Sequence, residues 1–218
     1  MNFSHDNNIL QVNNLSIQHE SETSPLFSGL HFTLPFRKTL ALVGVSGSGK
    51  SSLLKIISGL GKPTTGDVCF NGTWFSTLNE KQLTLLRKGK ISFIYQNTNL
   101  VPYATIYENV LILTSMVSLD FDQVYFETLV NLLKMTSVIK KPVYQLSGGE
   151  AQRGAIIRAL MLKPILLIAD EPTSQLDKHL IDIVITIFDT MKKNNNCSII
   201  VATHDPMLAQ SCDFQIKL

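Results

Sequence analysis

A glycine-rich segment near residue 45 lies between an apolar run and a helix-like run. Thr39-Leu40-Ala41-Leu42-Val43 is short, apolar and free of proline, which is typical of a buried parallel strand. After the glycine segment, apolar residues recur at helical spacing from Leu53 to Leu60. A strand, a glycine turn and a helix in this order form an anion-binding loop, because the N–H groups of the turn and of the helix start converge on one point. The segment therefore predicts an α/β fold that holds an anion.

The residue types in this loop fit phosphate groups. Glycine lets the backbone approach an anion closely and adopt positive φ. Lys50 supplies a cation for the β- and γ-phosphates, and Ser51 supplies a hydroxyl ligand for Mg²⁺. A plain glycine turn with a solvated lysine is the alternative, which the flanking strand and helix disfavour. The expected nucleotide-binding residues are Gly44, Val45, Ser46, Gly47, Ser48, Gly49, Lys50, Ser51 and Ser52.

An acidic pair follows a second strand-like run. The apolar segment from Ile165 to Ala169 ends in Asp170 and Glu171. Asp170 is expected to bind Mg²⁺ directly or through water, and Glu171 to polarise an attacking water. Acidic pairs are also common on solvated turns, but the preceding apolar strand disfavours that interpretation here. Together with the phosphate loop, the pair predicts binding and hydrolysis of a nucleoside triphosphate.

A third motif, Leu146-Ser147-Gly148-Gly149-Glu150, precedes a helical stretch that runs to Leu162. Its small-residue turn is aimed by a helix N-terminus, as the phosphate loop is, and so offers a second anion site. The simpler interpretation is a Ser-Gly-Gly helix cap, since serine is a favoured cap residue.

The order and spacing of the three motifs resemble the ATP-binding cassette (ABC) ATPases, from about Ile9 to the C-terminus. The resemblance implies that the cofactors are ATP and Mg²⁺ and that two ATPase subunits form a head-to-tail dimer. Ser147, Gly148, Gly149 and Glu150 would then face the γ-phosphate of ATP that the other subunit holds. Glu150 stands where glutamine is more usual, a variant familiar in the lipoprotein-releasing, macrolide-export and cell-division group.

The same resemblance assigns single polar residues at strand ends. Gln96, after the strand 91–95, would sense Mg²⁺ and complete a metal site with Ser51 and Asp170. His204, at the end of the strand-like segment Val201-Ala202-Thr203, would contact the γ-phosphate and is expected to be catalytic together with Glu171. Each of the two residues is otherwise a plain polar strand terminus.

Two further positions depart from the family pattern. The segment from Ser174 to Asp177 resembles the loop that touches the opposite cassette, and Gln175 stands there in place of a commoner small residue. His19 falls where an aromatic residue, commonly tyrosine, stacks on adenine. An exposed loop histidine is an equally good interpretation of His19, because imidazole offers less stacking area than tyrosine.

The implied fold is α/β, with a P-loop NTPase core in which a mostly parallel sheet has helices on both faces. A small antiparallel β subdomain would include residues 67–72. An α-helical subdomain at about residues 97–150 would carry the third motif, within a single domain of residues 1–218. Its sequence favours helices at 107–117 and 121–135, with Asp120 as a cap between them.

The composition of the chain limits its possible partners and its expected location. The net charge is +2 with no basic tract, which argues against a nucleic-acid partner. No apolar run approaches the roughly 20 residues that cross a membrane, and the N-terminus lacks a signal-peptide core. Three widely spaced cysteines fit a reducing compartment. The expected location is therefore peripheral, at the cytoplasmic face of the inner membrane.

The expected function is the ATP-hydrolysing subunit of an ABC transporter that powers export or lipoprotein release through a separate permease. A non-transporting ATPase that moves a membrane partner, as in cell division, remains the alternative. DNA-repair ABC ATPases need a long coiled coil before the third motif, ribosomal ones carry two cassettes, and GTPases need an Asn-Lys-x-Asp motif. The chain has none of these features. The transported substrate is not encoded in this chain.

Overall fold

The computed structural model of the chain describes residues 7–18 and 25–218, so that His19 lies outside the described residues. The strands are β1 (Asn8–Ile17), β2 (Phe27–Pro35), β3 (Thr39–Val43), β4 (Thr65–Phe70), β5 (Thr73–Trp74), β6 (Ile91–Ile94), β7 (Leu166–Asp170), β8 (Ser198–Ala202) and β9 (Phe214–Lys217). The α-helices are α1 (Lys50–Ile57), α2 (Glu80–Arg87), α3 (Ile106–Val117), α4 (Gln123–Leu132), α5 (Gly148–Leu160), α6 (Lys178–Asn194) and α7 (Pro206–Gln210). Short 3-10 turns cover Phe75–Thr77 and Val143–Gln145.

The larger sheet is parallel throughout, in the order β6-β7-β8-β3-β9. Neighbouring strands are in register near their carboxyl ends, where Ile94 faces Ala169 and Ala169 faces Val201. All their carboxyl ends therefore meet at one edge of the sheet, which is where ligands bind in open α/β folds.

The smaller sheet is antiparallel, in the order β2-β1-β4-β5. β1 pairs with both β2 and β4, with Val12 opposite Phe32 on one side and Val68 on the other. The expected antiparallel segment at 67–72 falls in β4 and the turn after it, so this part of the fold prediction is confirmed.

Alternate residues of the parallel strands face two different cores, because side chains change face at every residue of a strand. Leu166 and Ile168 of β7 pack with α1 and the antiparallel sheet. Leu167 and Ala169 of the same strand pack with α5 and α6. The central strands of the parallel sheet are thus covered on both faces, which explains why β7 and β8 are buried along their whole length and confirms the expected helices on both faces.

The segment between β6 and α5 carries α3 and α4, and no strand is assigned between residues 97 and 147. The expected cap Asp120 is wrong, because Asp122 caps α4 by accepting the N–H of Tyr125 at 2.9 Å. The ammonium of Lys163 forms an ion pair with the same carboxylate at 2.7 Å. This residue, distant in sequence, therefore favours Asp122 over Asp120 as the N-cap of α4. Helix α4 also ends at Leu132 rather than Met135, since Lys134 adopts positive φ.

Within the described ranges, no helix is both long and apolar enough to cross a membrane. Among the described residues, Cys69, Cys197 and Cys212 form no disulfide bond. Burial raises the pKa of Cys197 to about 12 and that of Cys212 to about 11. These two thiols are therefore poor nucleophiles near neutral pH.

Asp213 fastens β9 to the start of β3. Its carboxylate accepts the backbone N–H and the hydroxyl of Thr39, both at 2.9 Å. The ammonium groups of Lys38 and Lys192 lie at 3.0 and 3.3 Å. Burial alone would raise the pKa of Asp213, but these bonds outweigh it and hold the pKa well below its ordinary value.

We expect Asp213→Asn to lower the free energy of unfolding by about 1.5–3 kcal/mol at pH 7, the scale of hydrogen bonds to a charged group. Because the folded-state pKa is depressed, this stabilisation is full above the unfolded pKa of about 3.9 and is lost as the pH falls below it. Urea unfolding at several pH values checks this. Asp182→Asn, at an exposed site on α6, is the control and should change little. A difference that persists unchanged below pH 4 would contradict the assignment.

Candidate active site

Three strand ends place the predicted polar residues at the same edge of the parallel sheet. The loop 44–49 leaves β3 and enters α1 at Lys50. Asp170 is the last residue of β7, and His204 lies two residues beyond β8. Because β7, β8 and β3 are neighbours in the sheet, these groups share one edge. The edge therefore holds the loop, the acidic pair and the histidine together.

The glycine loop wraps around the ammonium of Lys50. Gly47 and Gly49 adopt φ of 81° and 92°, a conformation that favours glycine. Lys50 Nζ donates to the carbonyl oxygens of Gly44 at 2.7 Å and Val45 at 2.9 Å, and Lys50 is only 9% exposed. The cation is thus held at the centre of the loop, where an anion would meet it.

The loop also has unused hydrogen-bonding capacity. Ser48 Oγ is buried and has no hydrogen-bond partner in the described structure. Gly49 stands at the N-cap of α1 and provides no side-chain cap. A Cβ on Gly44 would lie 2.6 Å from Ser48 Oγ, so only glycine fits there. A buried unpaired hydroxyl and an uncapped helix start fit a phosphate group, which satisfies both.

Asp170 and Ser51 lie within hydrogen-bond reach of each other beside this loop. Burial raises the pKa of Asp170, the bond from Ser51 partly offsets that rise, and the neighbouring Glu171 carboxylate adds to it. The described residues contain no group of three or more His, Cys, Asp or Glu side chains placed to hold a metal ion.

Glu171 is held in an unusual conformation. It adopts φ of 49°, the left-handed region that residues other than glycine rarely occupy, and it is buried. Its backbone N–H donates to the carbonyl of Ala202 at 2.9 Å. Its side-chain Oε2 lies 2.9 Å from Nδ1 of His204, whose side chain is 72% exposed. The structure thus pairs the two predicted catalytic residues directly, a contact that the sequence analysis did not foresee.

The third motif forms a capping box at the start of α5. Ser147 Oγ accepts the N–H of Glu150 at 3.3 Å, and the Glu150 carboxylate accepts the N–H of Ser147 at 2.7 Å. The bonds from the backbone and hydroxyl of Ser147 lower the pKa of Glu150. Ser147 is therefore a helix cap, as the simpler interpretation held, while Gly148 remains exposed beside it. Glutamate suits position 150 because it completes the box.

The glycine turn of α5 does not pack on the phosphate loop of its own chain. The nearest non-local atoms to a Cβ on Gly148 belong to Gln175, as does the nearest one to a Cβ on Gly149. The predicted residue Gln96 is exposed two residues after β6, which is the neighbour of β7, and so it lies at the same edge of the sheet as Asp170. One chain thus assembles the loop, the acidic pair and the histidine, and presents the glycine turn separately.

Two polar residues of α5 that the sequence analysis did not assign join the parts of this site. Gln152, fully buried, donates to the carbonyl of Pro172 at 3.2 Å. Arg158 donates to the carbonyls of Asn99 at 2.6 Å and Thr98 at 2.9 Å. A sequence signal was present, since α5 carries four polar residues, Glu150, Gln152, Arg153 and Arg158, among small and apolar ones. Their partners are backbone carbonyls, which no side-chain pattern reveals.

The apolar contacts beside Gly49 were also missed by the sequence analysis. A Cβ there would lie 3.2 Å from the ring of Phe27 and 3.4 Å from Cβ of Leu26. Both residues belong to the segment where β2 begins and therefore border the phosphate loop.

Comparison with known proteins agrees with this geometry. The sequence profile of the family described as ABC transporter matches residues 27–174. The lipoprotein-releasing system ATP-binding protein LolD of Buchnera aphidicola subsp. Acyrthosiphon pisum (strain APS) is 35% identical over 202 residues, covering 90% of this chain and 87% of that protein.

Two solved structures of the ABC transporter cassette MJ0796 are also similar. A dimeric form has a TM-score of 0.87 at 26% identity and covers 95% of this chain and 94% of its own. A dimeric post-hydrolysis state bound to ADP and Pi has a TM-score of 0.84 at 28% identity and covers 96% and 94%.

The sheet, the phosphate loop and the acidic pair define a P-loop NTPase. The profile match and the relative's coverage go further, and the chain belongs to the ABC transporter family. It is the ATP-binding and ATP-hydrolysing subunit of an ABC transporter.

We expect Lys50→Ala to raise the Kd for ATP by about tenfold or more, because the loss of a charged hydrogen bond costs about 1.5–3 kcal/mol. Isothermal titration with ATP measures the change, and thermal unfolding checks that the loop mutation leaves the fold intact. Lys81→Ala, on the exposed side of α2, is the control. Equal ATP affinity in the two variants would remove Lys50 from the binding site.

Proposed function

We propose that the chain hydrolyses Mg²⁺-ATP in a site completed by a second ATPase subunit, and that this reaction drives a separate membrane permease. The observation that carries the proposal is the exposed glycine turn of α5, which leaves the phosphate loop of its own chain without a second anion-binding helix start. We also infer that residues 1–218 act as one ATPase domain, with the helical part at about 97–150.

The phosphate loop binds the nucleotide in this proposal. Residues 44–52 surround the phosphates, and Lys50 exchanges its bonds to loop carbonyls for bonds to phosphate oxygens. Ser51 and Asp170 would hold Mg²⁺, and Gln96 is the third candidate ligand from the neighbouring strand end. Bound Mg²⁺ offsets the charge of the transferring phosphoryl group. The buried position of Asp170 supports the metal assignment, because a cation relieves the cost of its burial.

Glu171 and His204 act on the attacking water and the γ-phosphate. The 2.9 Å contact with His204 orients the Glu171 carboxylate, which accepts a proton from the water. When His204 turns toward the γ-phosphate, as the resemblance implies, that contact breaks and the carboxylate is released to the water. The left-handed backbone of Glu171 is a strained conformation of the kind that clusters at active sites, which supports a catalytic role for this residue.

The second subunit contributes the residues of its glycine turn. Ser147, Gly148 and Gly149 present the start of a 13-residue helix, and this end of α5 favours an anion. In a head-to-tail dimer the turn faces the γ-phosphate that the other subunit holds. The dimeric structures of the cassette MJ0796 support this arrangement.

The membrane partner docks next to Gln96. A cavity of about 430 Å³ lies there, lined in part by Leu60, Arg87, Tyr95 and Asn99. Val101 and Tyr103 are exposed on the following loop. Because this loop is bonded to Arg158, a segment of the permease that moves it also acts on α5. The chain would work peripherally at the cytoplasmic face of the inner membrane, without a nucleic-acid partner.

The relative LolD makes lipoprotein release or a related export process the proposed task of the complete transporter. His19 remains the proposed contact of the adenine ring. Leu26 and Phe27, beside Gly49, are placed to border the ribose or the base.

We expect Glu171→Gln to bind ATP normally and to lose turnover by on the order of 10²-fold or more, the scale of one general-base contribution. The amide keeps the size of the side chain but cannot accept the proton. A steady-state phosphate-release assay measures turnover, and isothermal titration measures binding. Hydrolysis at the parental rate would show that Glu171 is not the base.

In the Glu171→Gln background, we expect ATP to convert the monomer into a dimer in size-exclusion chromatography. Ser147→Arg should abolish that conversion, because a bulky side chain fills the place of the γ-phosphate. The Ser147→Ala variant is the matched control, since it loses the helix cap, worth about 1 kcal/mol, without adding bulk. A Ser147→Arg variant that still dimerises with ATP would reduce the turn to a helix cap and overturn the two-subunit site.

A further inference from the structure

Gln175 covers the exposed face of the glycine turn at the start of α5. If Gly148 carried a Cβ, that atom would lie 2.0 Å from Oε1 of Gln175, so the carboxamide rests directly on the glycine. A Cβ on Gly149 would lie 2.8 Å from the backbone oxygen of Gln175. The same residue thus contacts both glycines of the turn, once with its side chain and once with its backbone.

The backbone on both sides of Gln175 is held in place. Upstream, Pro172 accepts the hydrogen bond from Gln152 of α5. The N–H of Leu176 donates to the carbonyl of Thr173 at 3.0 Å, which closes a turn around Gln175. Downstream, Asp177 caps α6 by accepting the N–H of Leu180 at 2.9 Å. These hydrogen bonds fix the backbone of the loop so that the side chain of Gln175 lies next to the glycine turn.

Gln175 is exposed to solvent. It places an amide oxygen beside the N-terminus of α5, where the helix favours negative charge and hydrogen-bond acceptors. A phosphate oxygen from the second subunit would compete for the same place. An alanine at position 175 has no atoms beyond Cβ and would leave the glycine face open.

We propose that the Gln175 side chain competes with the nucleotide of the second subunit for the glycine turn, and that it thereby sets the ATP concentration at which two subunits associate. Gln175 is a positioning residue: it acts on the composite site by covering or uncovering Gly148. The inference rests on the proposed two-subunit site.

The test compares variants of Gln175 in the Glu171→Gln background, with ATP-dependent dimerisation followed by size-exclusion chromatography. Gln175→Ala should lower the half-maximal ATP concentration roughly two- to tenfold, the range spanned by one net hydrogen bond. Gln175→Glu should raise it, because a carboxylate binds the helix start more strongly and repels phosphate. Gln175→Met keeps the length but removes the amide, and should fall between the parent and Gln175→Ala.

Two measurements separate this role from a structural one. ATP affinity of the monomer, measured in the Ser147→Arg background, should be the same in all Gln175 variants, since the phosphate loop is unchanged. Thermal unfolding should also be unchanged. His179→Ala, at an exposed residue of α6 just beyond the segment 174–177, is the control.

Failure of the proposed competition and failure of the two-subunit site give different experimental results. If the parent dimerises with ATP and Gln175→Ala needs as much ATP or more, the competition is refuted while the two-subunit site stands. A change in unfolding temperature that parallels the change in dimerisation would also refute it. If the parent stays monomeric at saturating ATP, both the two-subunit site and the role of Gln175 fail.

Discussion

The attachment of α5 to two loops is the constraint on which the arrangement of the site depends. Gln152 donates a hydrogen bond to the carbonyl of Pro172, in the loop after β7 that also carries Glu171. Arg158 donates one to the carbonyl of Asn99, in the loop after β6 that also carries Gln96. The first turn of the same helix presents Gly148. Because an α-helix is stiff over three turns, a displacement at either loop is carried to the glycine turn. In the proposed function, this one helix would connect the nucleotide, the partner subunit and the permease.

Most of the fold follows from patterns that are local in sequence. The strands β3, β7 and β8 are uninterrupted apolar runs because both faces of the parallel sheet are buried. The cap of α4 could not be predicted in the same way. Asp120 and Asp122 are both acidic and both precede an apolar helix, and the ion pair with Lys163, 41 residues away, favours the second. Local chemistry offered two caps, and tertiary structure selected one.

The candidate site shows the same difference between features that local sequence predicts and contacts that only the tertiary structure forms. The phosphate loop at residues 44–51 and the pair Asp170-Glu171 could be predicted from the sequence. Backbone geometry and phosphate chemistry allow only a few residue types at these spacings. The contact of Glu171 with His204 was not, because it joins the ends of two strands that are adjacent only in the sheet. The bonds of Arg158 end on carbonyls, which every residue has. In the proposed two-subunit site, the partner of the glycine turn belongs to another molecule, and a single chain's sequence cannot reveal it.

The conformation of Glu171 has a consequence for engineering. A left-handed backbone costs a residue other than glycine about 1–3 kcal/mol, and this one is also buried beside Asp170. Glycine would relieve both penalties, and asparagine would tolerate the backbone and remove the charge. Directed evolution toward heat resistance alone would therefore tend to replace the residue and enrich catalytically dead proteins. A thermostabilisation campaign on this protein needs turnover as a parallel selection, because this left-handed backbone position is also the one proposed for the general base.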